Sequence, residues 1–262
     1  MTNNNGLGNL DGLFQSARDD GLTDNTLGLV VSNLNGPTMV TAIGTSLNKL
    51  TSNEVTLAMN IIDMSASMAP HAVDVINGYN TEYLAAMKGS TAVDDILVST
   101  ILFNDQIKLL HGYVPLRDAP PLTKNTYHPT GTTALYDAVA AGLTNMVLYA
   151  QQLRANGIMV RCIVIVYSDG GDNASQQEAV NVRRAAQELL KHEIYTLAYV
   201  GFYSGGITDT ILRQLADEIG FTETLMAGLS QGELRRIFHL VSASTVRVSQ
   251  QSGLAAQAIF TP

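Results

Sequence analysis

A short segment rich in side-chain oxygens, Asp63-Met64-Ser65-Ala66-Ser67, follows a strongly apolar run of the chain. In an extended segment alternate side chains point the same way, so Asp63, Ser65 and Ser67 would present three oxygens to one side. One carboxylate and two hydroxyls suit a hard cation that prefers oxygen ligands. The two serines could instead cap a helix predicted to begin near His71. On its own, the segment therefore favours metal binding and helix capping equally.

A second polar segment, Tyr167–Asn173, also comes directly after an apolar run. Its carboxylate, Asp169, would lie at the carboxyl end of a buried strand, where open α/β sheets build their ligand sites. Because glycines and Asn173 also suit an ordinary turn, a plain polar loop is the alternative interpretation.

A third segment, Pro129–Asp137, contains three threonines and leads into a predicted helix. Any of Thr130, Thr132 and Thr133 could supply a hydroxyl to a metal or cap the helix that begins near Ala134. Taken alone, this segment favours capping.

The elements that must position these segments follow a βαβ pattern, because apolar runs of strand length alternate with stretches of helical period. The predicted strands are Val55–Ile62, Ile96–Asn104, Ile107–Tyr113, Ile158–Tyr167 and Glu193–Gly201. The predicted helices are His71–Lys88, Ala134–Ala155, Ser175–Lys191, Thr208–Glu218 and Gln231–Thr245.

The order of the strands can also be predicted. The runs ahead of Asp63 and Asp169 are apolar on both faces, which is typical of central parallel strands. Only Asp105 and Gln106 separate the second strand from the third, so the third must return antiparallel at an edge. The predicted fold class is α/β: a doubly wound, Rossmann-like, mostly parallel sheet with one antiparallel edge strand and helices on both faces.

The bulk composition excludes several classes of function. The chain has 262 residues, a net charge of −8 and one cysteine, Cys162, in an apolar run typical of a core. The negative charge argues against a nucleic-acid partner, which needs clustered cations. Since there is no uninterrupted apolar stretch of about 18 residues and no signal-like segment, we expect no membrane span and a cytoplasmic location.

The length suits one large α/β domain, which we place at residues 51–248. Residues 1–50 form an N-terminal extension, partly disordered or accessory, whose first two dozen residues lack apolar periodicity and suggest a tail or loose cover. Thr26–Leu50 is more apolar and fits either a strand pair or short helices. Residues 249–262 are predicted to be a C-terminal tail.

Together, the three polar segments resemble the metal-ion-dependent adhesion site of von Willebrand factor A domains, of the bacterial intracellular type. The resemblance lies in the order Asp-x-Ser-x-Ser, then Gly-x-Thr before Ala-Leu-Tyr-Asp, then Ser-Asp-Gly after an apolar strand, and it covers roughly Val55 to Ala243. Position by position, it implies five metal ligands: Asp63, Ser65, Ser67, Thr133 and Asp169. Thr132 is the alternative to Thr133 if the loop register is shifted by one.

The resemblance implies Mg²⁺ as the bound ion, with Mn²⁺ or Ca²⁺ as alternatives. Because hydroxyl ligands add no charge, such an ion stays electron-poor and attracts a further carboxylate. The expected function is therefore a protein–protein interaction or adaptor domain that takes an acidic residue of a partner protein. The family also suggests a component of an AAA+ ATPase system as that partner.

Enzyme function is the alternative, as a metal-assisted hydrolase or phosphatase. It would need a base near the metal, for which His71 and His128 are the nearest candidates. Neither a phosphate-binding loop nor a nucleophile elbow occurs. Ser65 stands where an Asp-x-Asp phosphatase would have its second aspartate, so we expect no enzyme. A structural subunit that assembles through its N-terminal segment is a third possibility.

Two further carboxylates lie near the predicted ligands in the sequence. Asp172 and Asp137 could tune the site from behind the ligands. Asp137 could equally act as a favourable charge at the start of its helix.

Overall fold

The computed structural model describes residues 10–19, 21–33, 44–50, 52–203, 206–251 and 260. Six strands form one sheet in the order β3-β2-β1-β4-β5-β6, in which only β3 runs antiparallel to its neighbour. The strands are β1 Glu54–Asp63, β2 Ile96–Phe103, β3 Ile107–Pro115, β4 Met159–Ser168, β5 Tyr195–Tyr203 and β6 Glu223–Gly228.

Helices cover both faces of this sheet. They are α1 Leu10–Asp19, α2 Asp24–Asn33, α3 Ala72–Asn77, α4 Ala86–Lys88, α5 Leu135–Arg154, α6 Ala179–Leu189, α7 Asp209–Glu218 and α8 Gln231–Gln250. A π-helix, Gly78–Ala85, joins α3 to α4. No helix in the described ranges is both long and apolar enough to cross a bilayer.

The predicted α/β fold class is confirmed, including the central place of β1 and β4 and the antiparallel edge strand β3. The sequence reading missed β6, for a physical reason. This strand lies at the other edge, and five of its six residues are only half-buried, so it lacks the apolar run by which the inner strands were recognised.

The side chains of β1 alternate between two cores, one on each face of the sheet. Leu57, Met59 and Ile61 pack with α5, α6 and α7, whereas Ala58 and Ile62 pack with α3, the π-helix and α8. The buried polar residue Asn60 in the strand donates a hydrogen bond to the Tyr83 hydroxyl, and the carboxylate Asp63 lies at the strand end.

The N-terminal segment differs from the predicted tail or loose cover in the part that the structure describes. Helices α1 and α2 span Leu10–Asp19 and Asp24–Asn33, and Leu22, Leu27 and Val30 are buried in the core that also holds α5 and α6. Short helices, one of the two structures predicted for Thr26 onwards, are therefore correct for α2. The packing of α1 and α2 was not predicted, because these helices gain most of their apolar contacts from α5 and α6 rather than from each other. The predicted disorder of residues 1–9 lies outside the described residues.

The π-helix packs tightly against α8 through Gly78. A methyl group on Gly78 would collide with the Phe238 ring, which also meets Tyr79 edge-on at 6.3 Å between ring centroids. We expect Gly78→Ala to lower the free energy of unfolding by about 1–3 kcal/mol through overpacking. Urea unfolding measures this effect. Gly89→Ala is the control, because a methyl group there meets only ordinary contacts at 3.5 Å or more; equal losses in both variants would contradict the packing argument.

Candidate metal centre

Asp63 is the last residue of β1, and both of its carboxylate oxygens accept hydrogen bonds. Oδ1 accepts from the Ser65 backbone N–H at 2.7 Å, and Oδ2 accepts from the Ser168 hydroxyl at 2.6 Å. The second bond follows from the register: β1 and β4 pair Ile62 with Tyr167, so the next residues stand side by side. The strands themselves therefore fix this carboxylate at the carboxyl end of the sheet.

Hydroxyl groups connect this carboxylate to the end of β4. The Ser65 and Ser67 hydroxyls lie 3.0 Å apart, and Ser67 donates to Oδ1 of Asp169 at 2.8 Å. The other oxygen of Asp169, Oδ2, is buried and accepts no hydrogen bond. The structure thus brings four of the five predicted ligands together, and the group opens to solvent at Ser67, which is exposed.

The helix-capping interpretation of these residues is wrong. Ser65 precedes a short 3-10 helix, Ala66–His71, but its side chain makes no capping hydrogen bond. The N-cap position of α5 is Ala134, which makes no capping hydrogen bond, and Asp172 and Ser175 bind amides of its first turn, so the threonines ahead of that helix do not cap it either. The hydroxyls of Ser65 and Ser67 are instead turned towards the carboxylates.

The threonine loop is hydrogen-bonded along the first segment. The Thr130 N–H donates to the Met64 carbonyl at 2.9 Å, and the Ala66 N–H donates to the Gly131 carbonyl at 3.1 Å. Thr133, the fifth predicted ligand, is buried in this loop, whereas Thr132 is exposed. The backbone therefore holds Thr133 at the same end of the sheet as the other four residues.

The loop after β4 braces the threonine loop from the other side. Asn173 accepts from the Thr133 N–H at 2.8 Å through its side chain and donates its own N–H to the Thr133 carbonyl at 2.9 Å. Sequence reasoning missed this role for Asn173 and also missed Ser168. Both residues belong to the Tyr167–Asn173 segment that the sequence singles out. A single sequence does not distinguish a residue that forms a turn from one that binds a neighbouring loop.

The two accessory carboxylates hold backbone rather than ligands. Asp172 accepts from the Tyr136 N–H at 3.4 Å, and Asp137 accepts from the backbone N–H groups of Gln176 and Gln177 at 2.7–3.1 Å. The start of α5 and the loop after β4 are therefore clamped to each other.

Burial controls the ionisation of Asp63. It raises the pKa of this carboxyl from 3.8 to about 6, because desolvation disfavours the charged form and outweighs the hydrogen bonds from Ser168 and Ser65. The nearby charge of Asp169 raises it further. A buried anion in this position is costly unless a cation compensates for it.

The histidines considered as catalytic bases lie apart from this hydrogen-bond network. His71 is half-buried and His128 is exposed, and among the described residues neither imidazole is hydrogen-bonded to a candidate ligand. The same ranges contain no cluster of three or more His, Cys, Asp or Glu side chains that could hold a metal ion. The candidate centre has two carboxylates, and its other oxygens belong to hydroxyl groups.

The donor set fits a small hard cation. Mg²⁺ takes oxygen ligands and is commonly held by one or two carboxylates while it keeps several waters. The unpartnered Oδ2 of Asp169 lies in the same group as the desolvated carboxylate of Asp63, so two buried oxygens could each gain a partner from one ion.

No protein-family model and no curated protein matches the chain. Solved structures do. A D319A mutant of the PilB minor pilin from Streptococcus sanguinis is 12% identical with a TM-score of 0.51, over 77% of this chain and 63% of that one. The von Willebrand factor type A structure from Catenulispora acidiphila is 16% identical with a TM-score of 0.48, over 73% and 43% of the two chains. The manganese-loaded TRAP protein of Plasmodium vivax is 21% identical with a TM-score of 0.46, over 71% and 74%.

These likenesses concern the fold, since the three identities are only 12–21%. The chain spans less than half of the Catenulispora structure and under two thirds of the pilin. The mostly parallel sheet with its single antiparallel edge strand is also the arrangement predicted from the sequence, apart from strand β6. The chain therefore has a doubly wound, mostly parallel α/β fold, which it shares with the pilin structure.

Proposed function

We propose that the chain is a non-enzymatic protein–protein interaction domain whose bound Mg²⁺ coordinates an acidic residue of a partner protein. The observation that carries the proposal is the buried, unpartnered Oδ2 of Asp169 beside the desolvated carboxylate of Asp63. Natural structures rarely leave a buried charged oxygen without a partner unless a water or an ion fills the role.

In this proposal Asp63, Ser65, Ser67, Thr133 and Asp169 hold the ion, with Mn²⁺ or Ca²⁺ as alternatives. The two carboxylates balance the charge of the divalent ion, and the hydroxyls add oxygens without adding charge. The bound ion supplies a Lewis-acidic position that attracts an incoming carboxylate. Ser168 and Asn173 hold the ligand loops in place from behind.

No catalytic role is proposed, because the site contains no base that is hydrogen-bonded to a ligand. The sequence resemblance adds an intracellular adaptor role, with a component of an AAA+ ATPase system as the class of partner. This part of the proposal concerns the whole protein and depends on the resemblance.

Calorimetric titration with Mg²⁺ and Mn²⁺ tests the metal site. We expect wild type to bind one ion and Asp169→Asn to bind it about 100-fold more weakly or not at all. Asp94→Asn is the control, because Asp94 is an exposed aspartate paired with Arg117 just ahead of β2, at the opposite end of the sheet. Absence of binding by wild type to either ion would refute the proposal.

Ser67→Ala tests the hydroxyl ligands. We expect the variant to bind Mg²⁺ about 10- to 100-fold more weakly, while its melting temperature in excess chelator stays near that of wild type because Ser67 is exposed. Calorimetry and thermal melts measure the two properties separately. A large fall in the melting temperature under chelator would show a structural role instead.

A matched pair of threonine variants tests the register of the loop. We expect Thr133→Ala to weaken Mg²⁺ binding about tenfold, because this residue is buried in the loop at the site, and Thr132→Ala to leave it unchanged, because that residue is exposed. The same titration measures both. The reverse result would assign the ligand to Thr132.

A further inference from the structure

We propose that the partner segment that reaches the metal carries a single carboxylate in apolar surroundings, and that its apolar side chains dock on Tyr203 and Ile211. This inference rests on the proposed function and specifies the class of partner. We call these two residues the Tyr203–Ile211 patch.

Exposed apolar side chains concentrate at the end of the domain that carries the site. Within the described ranges, five large apolar residues are exposed: Val73, Met159, Val180, Tyr203 and Ile211, at 36–59%. Only Met159 lies at the amino end of the sheet, where it pairs with Glu54 at the start of β1. The other four follow strands that end at the site or beside it. Exposed apolar groups gathered at one end of a domain are typical of a binding surface.

The Tyr203–Ile211 patch lies against the loop that carries Asp169. Helix α7 passes so close to Gly201 that a methyl group there would come within 3.1 Å of the Leu212 Cβ. Because alternate residues of a strand share a face, Tyr203 points towards the same helix, near its first turn, where Ile211 lies.

Helix α7 also packs against the loop that carries Asp169. A methyl group on Gly171 would lie 3.5 Å from Leu215, one helical turn after Ile211. Ile211 and Leu215 share a face of α7, so Ile211 lies one turn nearer to the open end of the site. Because Gly171 is two residues beyond Asp169, the patch lies on the helix that packs against the loop of the proposed ligand. Val73 lies on α3, which packs on the opposite face of the sheet.

The charges at this end of the domain oppose a strongly acidic partner. Asp105 and Glu178 are exposed in the loops after β2 and β4, and the whole chain carries a net charge of −8. A second or third carboxylate in the partner would be repelled by these charges. One carboxylate on the metal with apolar flanks on the patch satisfies both features of the surface.

Three fluorescein-labelled, capped peptides of equal length test this inference by fluorescence anisotropy on the full chain in excess Mg²⁺. The first has one Asp between leucines, the second has Asn in place of that Asp, and the third has Glu in place of the leucines. We expect only the first to bind well, with the third at least about tenfold weaker. Binding of the third as tight as that of the first would overturn the inference.

Variants locate the apolar contact. We expect Tyr203→Ser with Ile211→Ser to weaken the leucine-flanked peptide about tenfold without a change in Mg²⁺ affinity, and Met159→Ser, at the opposite end, to have no effect. Equal binding by the double variant would also overturn the inference. If the leucine-flanked peptide binds equally in chelator, the proposed function fails as well, so the two failures are distinguishable. The comparison of the three peptides on wild type stands even if the double variant does not fold.

Discussion

Asp63→Asn is expected to abolish the effect of Mg²⁺ on the protein and, in its absence, to make the fold more stable than wild type. The Asn side chain can still accept from the Ser65 N–H through its oxygen and donate to the Ser168 hydroxyl through its nitrogen. It removes the buried charge. The rise of the Asp63 pKa from 3.8 to about 6 corresponds to a gain of about 3 kcal/mol at pH 8.

The difference in stability between wild type and Asp63→Asn should depend on pH. The folded state holds the proton on Asp63 more tightly than the unfolded state, so this group destabilises the metal-free fold above pH 6. As the pH falls from about 6 towards 3.8, the free energy of unfolding of wild type rises and approaches that of Asp63→Asn. Urea unfolding in chelator at several pH values measures it.

Added Mg²⁺ should stabilise only the wild-type protein. At a concentration 100-fold above its dissociation constant, the ion should stabilise wild type by about 2.7 kcal/mol and leave the variant unchanged. If Asp63→Asn were much less stable than wild type in chelator, the carboxylate would have a structural role and the metal interpretation would lose its main support.

Glu188→Ala should release the N-terminal helices from the domain. Glu188 on α6 is buried and accepts hydrogen bonds from the Thr23 N–H, the Thr23 hydroxyl and the Thr26 hydroxyl. Removing it deletes the acceptor of all three hydrogen bonds, at a cost of about 2–4 kcal/mol, enough to undock a short segment. Limited proteolysis and amide exchange should show α1 and α2 opening while the sheet stays protected.

Glu178→Ala is the control for this variant, since Glu178 is exposed at the start of the same helix and makes no capping hydrogen bond. Acidification gives an independent test. Burial alone would raise the pKa of Glu188, but the hydrogen bonds from Thr23 and Thr26 lower it overall, so the anchor is lost as the pH falls through that lowered pKa. Equal protease sensitivity of both variants would contradict the anchor.

The inner strands and the edge strand β3 were predictable from the sequence, whereas β6, α1 and α2 were not. The apolar runs of β1 and β4 are visible because both of their faces are buried, and the two-residue link before β3 forces an antiparallel return. Helices α1 and α2 depend on contacts with α5 and α6 that no local pattern records.

The candidate site shows the same division. The ends of β1 and β4 placed Asp63 and Asp169 correctly, because parallel strands bring their carboxyl ends to one edge. The contacts that hold the loops, such as Asn173 with Thr133, span 40 residues and depend on the folded path of the chain. The position of the polar groups was therefore predictable, but the contacts that hold their loops were not.

The position of the two carboxylates also determines how the domain would bear mechanical load. A partner held at the metal would pull on Asp63, at the tip of β1, and on Asp169, one residue beyond β4. Each of these strands is hydrogen-bonded to a neighbour on both sides, and the two pair with each other along nine successive residues. Tension applied at the site would therefore be shared among four adjacent strands, so many backbone hydrogen bonds would resist it together.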